Sequence, residues 1–204
     1  MKAVAGYVYD TYLFLKSWFD NPKRMGALFP SFARTGKKLA GIIRSLENAK
    51  VVELGAGTGQ VTDQIIAHGV KKENFVAVEF DPDFCKKIEE KHPKAVNILC
   101  IDAAKIYTEL PEEFLGKTDY VISTLPLITL GEAKAKEVVE AVFKTLKPGG
   151  VYIQITYTPY KPKYMKKLNL RVKKLCVSWL NLPPTFIWRI CKAINSEPNA
   201  ALAT

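Results

Sequence analysis

Residues 51–59 read Val-Val-Glu-Leu-Gly-Ala-Gly-Thr-Gly, and no other stretch restricts the fold of this chain as much. Val51, Val52 and Leu54 form a short apolar run of the kind a buried strand carries. Gly55, Gly57 and Gly59 follow at alternate positions. Glycine lets the backbone turn sharply and lets a ligand approach main-chain atoms with no Cβ in the way. Residues 60–68 read as a helix, so the glycines join a strand to a helix N-terminus, a junction suited to a nucleotide-like ligand. The spacing is E-x-G-x-G-x-G, beginning at Glu53, and differs from the G-x-G-x-x-G of dinucleotide-binding turns. An ordinary strand–turn–helix junction would also carry three glycines, so the residues downstream decide between the two readings.

Those residues are acidic and regularly placed. Glu53 stands at the end of the first strand, where a carboxylate repels a pyrophosphate and attracts a cation. Glu79 ends the next apolar run, 24 residues after Gly55, and an acidic residue about 20 positions on can accept hydrogen bonds from both ribose hydroxyls. Asp102 ends a third run and is placed to meet the amino group of an adenine, with Ala103 beside the ring. Singly, each carboxylate reads as well as a helix N-cap, a role open to Asp81 and Asp102. Three in succession point to a nucleoside with a cationic tail. S-adenosylmethionine, with an ammonium and a sulfonium and no phosphate, meets that description better than NAD. Its expected contacts are Glu53, Gly55, Gly57, Gly59, Glu79, Asp102, Ala103 and Ser123.

The rest of the chain predicts the architecture around this junction. Strands at 50–54, 75–79, 96–101, 119–123 and 151–157 alternate with helices at 60–68, 82–91 and 132–146. This order predicts an α/β, Rossmann-like parallel sheet with helices on both faces and the ligand at the carboxyl ends of the strands. The alternation then breaks. CVSWLNL and TFIWRIC flank Pro183-Pro184 and predict an antiparallel hairpin added to the sheet. A further helix is expected over 37–46. Residues 2–19 form an amphipathic helix whose apolar arc holds Phe14, Tyr7, Trp18, Val4, Leu15, Val8, Phe19 and Tyr12. Such a face suits a membrane interface or the domain core. Residues 21–36, with Pro22, Gly26, Pro30 and Gly36, are expected as a connector, either a lid over a substrate or a packed loop. The chain thus divides into residues 1–36, helix and lid, and residues 37–204, the α/β domain.

Charge is distributed unevenly: net +6 over 1–50, −4 over 51–160 and +8 over 161–204. Basic ends around an acidic centre imply a polyanionic partner, nucleic acid or an anionic membrane surface. Cys85, Cys100, Cys176 and Cys191 are widely separated and form no C-x-x-C pair, so free thiols and no metal site are expected. His68 and His92 fall near predicted helix ends, where they favour the negative end of the dipole. No apolar run approaches the roughly 20 residues of a membrane span. Asp20-Asn21-Pro22-Lys23-Arg24 after the first apolar stretch is no signal-peptide cleavage pattern, so a cytoplasmic location is expected.

On these motifs residues 48–192 resemble the class I S-adenosylmethionine-dependent methyltransferases, which implies a seven-stranded sheet with one reversed hairpin at its end. FLKSWFDNPKRMGALFPSFARTG (14–36), STLPL (123–127) and WLNLPPTFIWRI (179–190) are similar to the bacterial phospholipid N-methyltransferases. That resemblance implies a protein docked peripherally on the inner leaflet of the cytoplasmic membrane, converting phosphatidylethanolamine stepwise to phosphatidylcholine. One departure is Phe32 after Ser31, where a second small residue is expected in the lid. Candidates to receive or orient the amine proton are Ser123 and the carbonyl near Leu125, fixed by Pro126. Tyr157 and Tyr160 either face the headgroup ammonium by cation–π contact or are ordinary strand and loop tyrosines. Lys23 and Arg34, with Ser31 in the lid, either bind the lipid phosphate or are solvated surface.

A competing function is RNA adenine N6-methylation, whose enzymes typically carry N-L-P-[YFW] so that an aromatic stacks on an extruded base. Thr124-Leu125-Pro126-Leu127 lacks both the Asn and the aromatic, so no nucleic-acid partner is expected. A noncatalytic membrane-binding module is the third reading, and the intact Glu53, Glu79 and Asp102 argue against it. The oligomeric state is not legible in the sequence.

Overall fold

Strand β1 (Val51–Leu54) is buried at every position and lies inside a seven-stranded sheet. The computed structural model describes residues 29–44, 47–92, 97–159, 165, 168–179 and 184–192. The remaining strands are β2 (Phe75–Glu79), β3 (Asn97–Cys100), β4 (Thr118–Ser123), β5 (Leu146–Thr156), β6 (Leu170–Ser178) and β7 (Thr185–Lys192). The helices are α1 (Phe29–Ala40), α2 (Gln60–Ala67), α3 (Pro82–Lys91), α4 (Ile106–Glu109) and α5 (Glu132–Thr145). Strand order is β3-β2-β1-β4-β5-β7-β6, with β7 antiparallel to both β5 and β6 and the other pairs parallel. The expected Rossmann-like sheet with a terminal reversed pair is therefore present. The chain moves outward from β1 to β3 and then returns to β4, on the other side of β1. The crevice at such a reversal, beyond the carboxyl ends of β1 and β4, is where open α/β sheets hold ligands.

Two apolar layers sandwich the sheet, which is why its central strands read as continuous apolar runs rather than alternating ones. Val52, Leu54, Val76, Val78, Val121 and Tyr152 face one layer with Ile106, Phe114, Val138 and Val142. Val51, Phe75, Ala77, Ile122, Ile153 and Ile155 face the other with Leu39, Val61, Ile65 and Ile88. Successive strand residues point to opposite faces, so neighbours such as Val51 and Val52 serve different layers. His68 and His92 cap the C-termini of α2 and α3, and His92 Nε2 also meets Asp63 Oδ1 at 2.7 Å.

Three elements differ from expectation. Helix α1 covers Phe29–Ala40 instead of 37–46, so the connector over 21–36 gives way to helix from Phe29. Pro30 sits in its first turn, where a missing N–H is no loss. Gly36 reads as a breaker but lies mid-helix, because a Cβ there would meet Gln64 Cγ at 2.7 Å and α1 packs directly on α2. Strand β6 reaches back to Leu170 through exposed Arg171, Lys173 and Lys174, which hide its strand character in the sequence. Charged side chains on such an edge strand discourage pairing with other chains. Strand β5 begins at Leu146, with a register shift that accommodates the Lys147-Pro148-Gly149-Gly150 turn. The amphipathic helix expected over 2–19, Lys23 and Tyr160 lie outside the described residues, as do the side chains of Ser31 and Arg34.

Gly36→Leu should destabilise the protein. Overpacking against Gln64 costs about 1–3 kcal/mol, and the gain in helix propensity is under about 1 kcal/mol. Gln64→Ala should recover part of the loss in the double variant, as read by urea denaturation. Simple additivity of the two changes would show that α1 and α2 do not meet at Gly36.

Candidate functional site

The glycine loop is held by backbone first and by carboxylates second. Gly55 and Ala56 donate to the Val78 carbonyl at 2.8 and 3.2 Å, which fastens the loop to β2. Gly55, Gly57 and Gly59 all take positive φ (78°, 57° and 76°). Gly55 is also a close approach, since a Cβ there would meet Leu125 Cδ2 at 2.7 Å. Thr124 ties the end of β4 to the same loop, its N–H donating to the Leu54 carbonyl (3.0 Å) and its hydroxyl to the Gly55 carbonyl.

Glu79, the expected ribose acceptor, ends β2 at the mouth of this junction. Its Oε2 accepts from Gly57 N (2.7 Å), and its Oε1 accepts from Phe80 N (2.8 Å) and Asp81 N (3.1 Å). An ionised carboxylate offers about four lone-pair sites, so these N–H groups leave room for a ribose hydroxyl. Asp81 caps α3 through Asp83 N, as expected.

Glu53 is wholly buried. Its Oε2 accepts from the Thr62 hydroxyl (2.6 Å), while Oε1 has no partner among the described residues. Burial pushes its pKa up to about 8, so at neutral pH the carboxyl favours the protonated form. The sequence reading took this group as a standing negative charge; its burial overturns that. The orphaned oxygen nevertheless fits an ammonium group, which would supply the missing donor and draw the carboxyl into its charged form. This is the feature by which the loop suits the amino-acid end of S-adenosylmethionine.

A cavity of about 290 Å³ opens along the carboxyl ends of β1, β2 and β4. Gly55, Glu79, Phe80, Asp102, Ala103, Leu125, Pro126, Leu130 and Lys134 line it, together with Val78, Asp81, Phe84, Ile101 and Val138. That volume is at the low end for small-molecule sites and suits a nucleoside rather than a two-chain lipid. Asp102 caps the turn that follows it, Oδ1 accepting from Ala104 N (2.9 Å), and Oδ2 accepts from Lys134 Nζ. Burial works to raise its pKa, but the Lys134 and Ala104 hydrogen bonds outweigh it and hold the carboxyl below its usual range. Asp102 is therefore ionised, a fitting acceptor for an adenine amino group.

Expected and observed site residues overlap in part. Gly55, Glu79, Asp102, Ala103 and Leu125 line the cavity; Glu53, Gly57, Gly59, Ser123 and Tyr157 do not. Ser123 is fully buried, and its Oγ accepts from Leu125 N at 3.3 Å. The Leu125 carbonyl accepts from both Leu127 N and Gln154 Nε2, each at 2.9 Å. With both lone pairs taken, it cannot also receive the amine proton, so Leu125 is a wall of the cavity instead. Tyr157 is half-buried, and burial pushes its phenol further above the ordinary value, so it stays neutral. Sequence reasoning missed Phe80, Phe84, Leu130 and Lys134. Phe80 carried a signal, being apolar directly after an acidic strand end. Lys134, 32 residues beyond Asp102, carried none.

Two outcomes test this geometry. Glu79→Ala should weaken binding of S-adenosylhomocysteine by about 1.5–3 kcal/mol, the worth of a charged acceptor; unchanged affinity in the folded variant would remove Glu79 from the site. Glu53 holds a proton in the folded chain that the unfolded chain releases. It therefore contributes stability below its ordinary value of 4.5 that is lost as pH rises to about 8. Glu53→Gln should flatten that decline. In calorimetry at pH 7 with buffers of differing ionisation enthalpy, cofactor binding should release up to about one proton from wild type and none from Glu53→Gln. Equal release from both would mean that no cation reaches Glu53.

Comparison with known proteins agrees with the geometry. Residues 51–150 match the family model described as a methyltransferase domain. The chain is 30% identical over 157 residues to the ornithine lipid N-methyltransferase of Singulisphaera acidiphila, across 74% of this chain and 80% of that protein. It is 30% identical over 116 residues to the ribosomal RNA small subunit methyltransferase A of Wolbachia pipientis, across 55% of this chain and 39% of that protein. The crystal structure of magnesium protoporphyrin IX methyltransferase from Synechocystis with bound S-adenosylmethionine matches with a TM-score of 0.60 at 12% identity, across 79% of this chain and 78% of that one. At such identity the likeness is one of fold. The sheet, the loop after β1 and a relative spanned over four-fifths of its length lead to one family: the chain belongs to the class I S-adenosylmethionine-dependent methyltransferases.

Proposed function

We propose that the protein is a peripheral membrane N-methyltransferase that acts on the amine of a lipid headgroup, with phosphatidylethanolamine and its mono- and dimethyl derivatives as substrates and phosphatidylcholine as product. The observation that carries this reading is the 30% identity to an ornithine lipid N-methyltransferase over most of both chains. On this reading residues 1–36 hold the membrane surface and cover the acceptor, and residues 37–204 carry out methyl transfer at the inner leaflet. Lys23, Ser31, Arg34 and Tyr160 are the proposed contacts to the headgroup. Among the described residues no helix is long and apolar enough to cross a membrane.

S-adenosylmethionine, when bound, supplies a methyl group activated by its positive sulfur. Because its positive charge would move to the acceptor nitrogen, the protein would have no oxyanion to stabilise, and its part would be alignment and exclusion of water. Ion-paired Asp102 and backbone-anchored Glu79 would hold the nucleoside, and Leu125 and Pro126, which follow β4 on the other side of β1 from β2 and β3, line the same cavity. The RNA-directed reading draws on the Wolbachia relative, but that likeness spans only 39% of the relative. Leu127, where an aromatic would stack on a base, is instead 2% exposed and packs in the core.

The test offers the protein labelled cofactor with vesicles of phosphatidylethanolamine, vesicles of ornithine lipid, or ribosomal RNA. Label should appear in phosphatidylethanolamine as successive methylated species. Label in ornithine lipid alone would move the substrate to that amine, and label in RNA alone would overturn the lipid reading. Removing residues 1–20 should abolish the salt-resistant part of vesicle co-sedimentation and leave cofactor binding intact.

A further inference from the structure

Gln154 lies in the carboxyl half of β5, paired in register with Ser123 of β4 on one side and Trp188 of β7 on the other. It is 1% exposed, between Ile153 and Ile155. A buried primary amide has to satisfy both of its ends. One end of the amide faces only carbonyl oxygens and must be the donating Nε2; the Tyr152 hydroxyl, able to donate, meets Oε1 at 2.5 Å at the other end. Its Nε2 then donates to the carbonyls of Leu125 (2.9 Å) and Ile155 (2.7 Å), with the Ser123 carbonyl at 3.3 Å.

The Leu125 carbonyl is the informative partner. Strand β4 ends at Ser123, so Leu125 lies past the last residue of the ladder. Leu125 and Pro126 line the cavity, and Leu125 Cδ2 stands only 2.7 Å from where a Cβ on Gly55 would be. The Leu127 N–H closes the turn on the same carbonyl. The Gln154 amide therefore ties the carbonyl side of this wall to β5, beside the bond that Ser123 Oγ accepts from Leu125 N and the one that Thr124, the residue before it, makes to the Gly55 carbonyl.

We propose that Gln154, oriented by Tyr152, is a positioning residue for methyl transfer: it fixes the Leu125–Pro126 wall and with it the line on which the acceptor amine meets the methyl group. The proposal rests on the methyltransferase reading of the site and is independent of which lipid is the acceptor. Misplacement of reacting groups by about 1 Å can cost roughly 100-fold in rate. Gln154 does not itself line the cavity, so its loss should spare cofactor affinity and lower turnover.

The test compares Gln154→Met, which keeps length and removes the amide, with Gln154→Glu. With phosphatidylethanolamine vesicles, Gln154→Met should lower kcat by about 30–100-fold while the Kd for S-adenosylhomocysteine stays within about threefold of wild type. The buried carboxyl of Gln154→Glu can donate to the Leu125 carbonyl only when protonated. Its kcat relative to wild type should therefore recover as pH falls, and that of Gln154→Met should not. A purely structural role would lower the melting temperature and leave kcat within about twofold at saturation, which would overturn the proposal. If Gln154→Met does not fold, Gln154→Glu carries the test alone, and a kcat ratio to wild type that does not change with pH would overturn the proposal. If wild-type protein methylates no lipid, the proposed function fails, and the wall is read without an acceptor. Sinefungin carries an amine in place of the methylated sulfur, so the ratio of its Kd to that of S-adenosylhomocysteine reports on this end of the cavity. That ratio should change by about tenfold in Gln154→Met, and an unchanged ratio would overturn the proposal.

Discussion

The tie between the Glu79 carboxylate and three backbone N–H groups is the interaction on which the ligand edge depends. Gly57 belongs to the loop after β1, and Phe80 and Asp81 to the loop after β2. One side chain thus joins two strands just where their ladder stops. Left unpaired and buried, such donors cost about 1–3 kcal/mol each. The same device recurs along the edge. Thr124 joins β4 to β1 through the Gly55 carbonyl, and Gln154 joins β5 to the segment leaving β4. Asp102 joins the segment after β3 to the first turn of α5 through Lys134. A parallel sheet gives its strand ends no mutual support beyond the last hydrogen bond, and these four polar side chains supply it.

The three acidic residues named from the sequence therefore do different work. Asp102 is kept ionised by Lys134, and Glu79 is anchored by the N–H groups of Gly57, Phe80 and Asp81. Glu53 is buried with one oxygen unpaired and holds its proton to about pH 8. A permanently charged Glu53 would carry a desolvation penalty with no ligand bound. A carboxyl that ionises only when a cation arrives avoids that penalty. The loop after β1 is thereby matched to a cationic group without holding an uncompensated buried charge beforehand.

The sequence was informative wherever a single local pattern implied a single structure. The run Phe75–Glu79 and helix Pro82–Lys91 stand where periodicity placed them, because uninterrupted apolar runs and an Asp-Pro start leave little choice. The strands that carry Glu53, Glu79, Asp102 and Ser123 to one edge were legible for the same reason. Helix α1 was not, since Gly36 is demanded by Gln64, a residue of another helix. The start of β6 was hidden by charge that an edge strand tolerates. The hydrogen bonds of the Leu125 carbonyl were hidden as well, because they depend on Gln154, 29 residues away on a neighbouring strand. What escaped was tertiary in origin throughout.

The surface around the cavity bears on how a lipid acceptor would arrive. Phe80, Ile128, Leu130 and Trp179 are four of the five large apolar side chains exposed among the described residues. Phe80 follows β2, Ile128 and Leu130 lie in the connection leaving β4, and Trp179 directly follows β6. The fifth, Tyr107, lies under the Lys144 ammonium. Strands β2 and β6 are five places apart in the sheet order, so at about 4.8 Å per strand this row spans roughly 24 Å. Scattered exposed apolar residues need no explanation, but a row along one edge does. An acceptor dissolved in a membrane would meet the protein across that width, whereas on the proposed function the methyl group would pass near its middle, beside Leu125 and Pro126, which line the cavity. On the proposed function, membrane contact and methyl-transfer geometry would share one edge of the sheet, and rigidity at the Leu125–Pro126 wall would keep them separable.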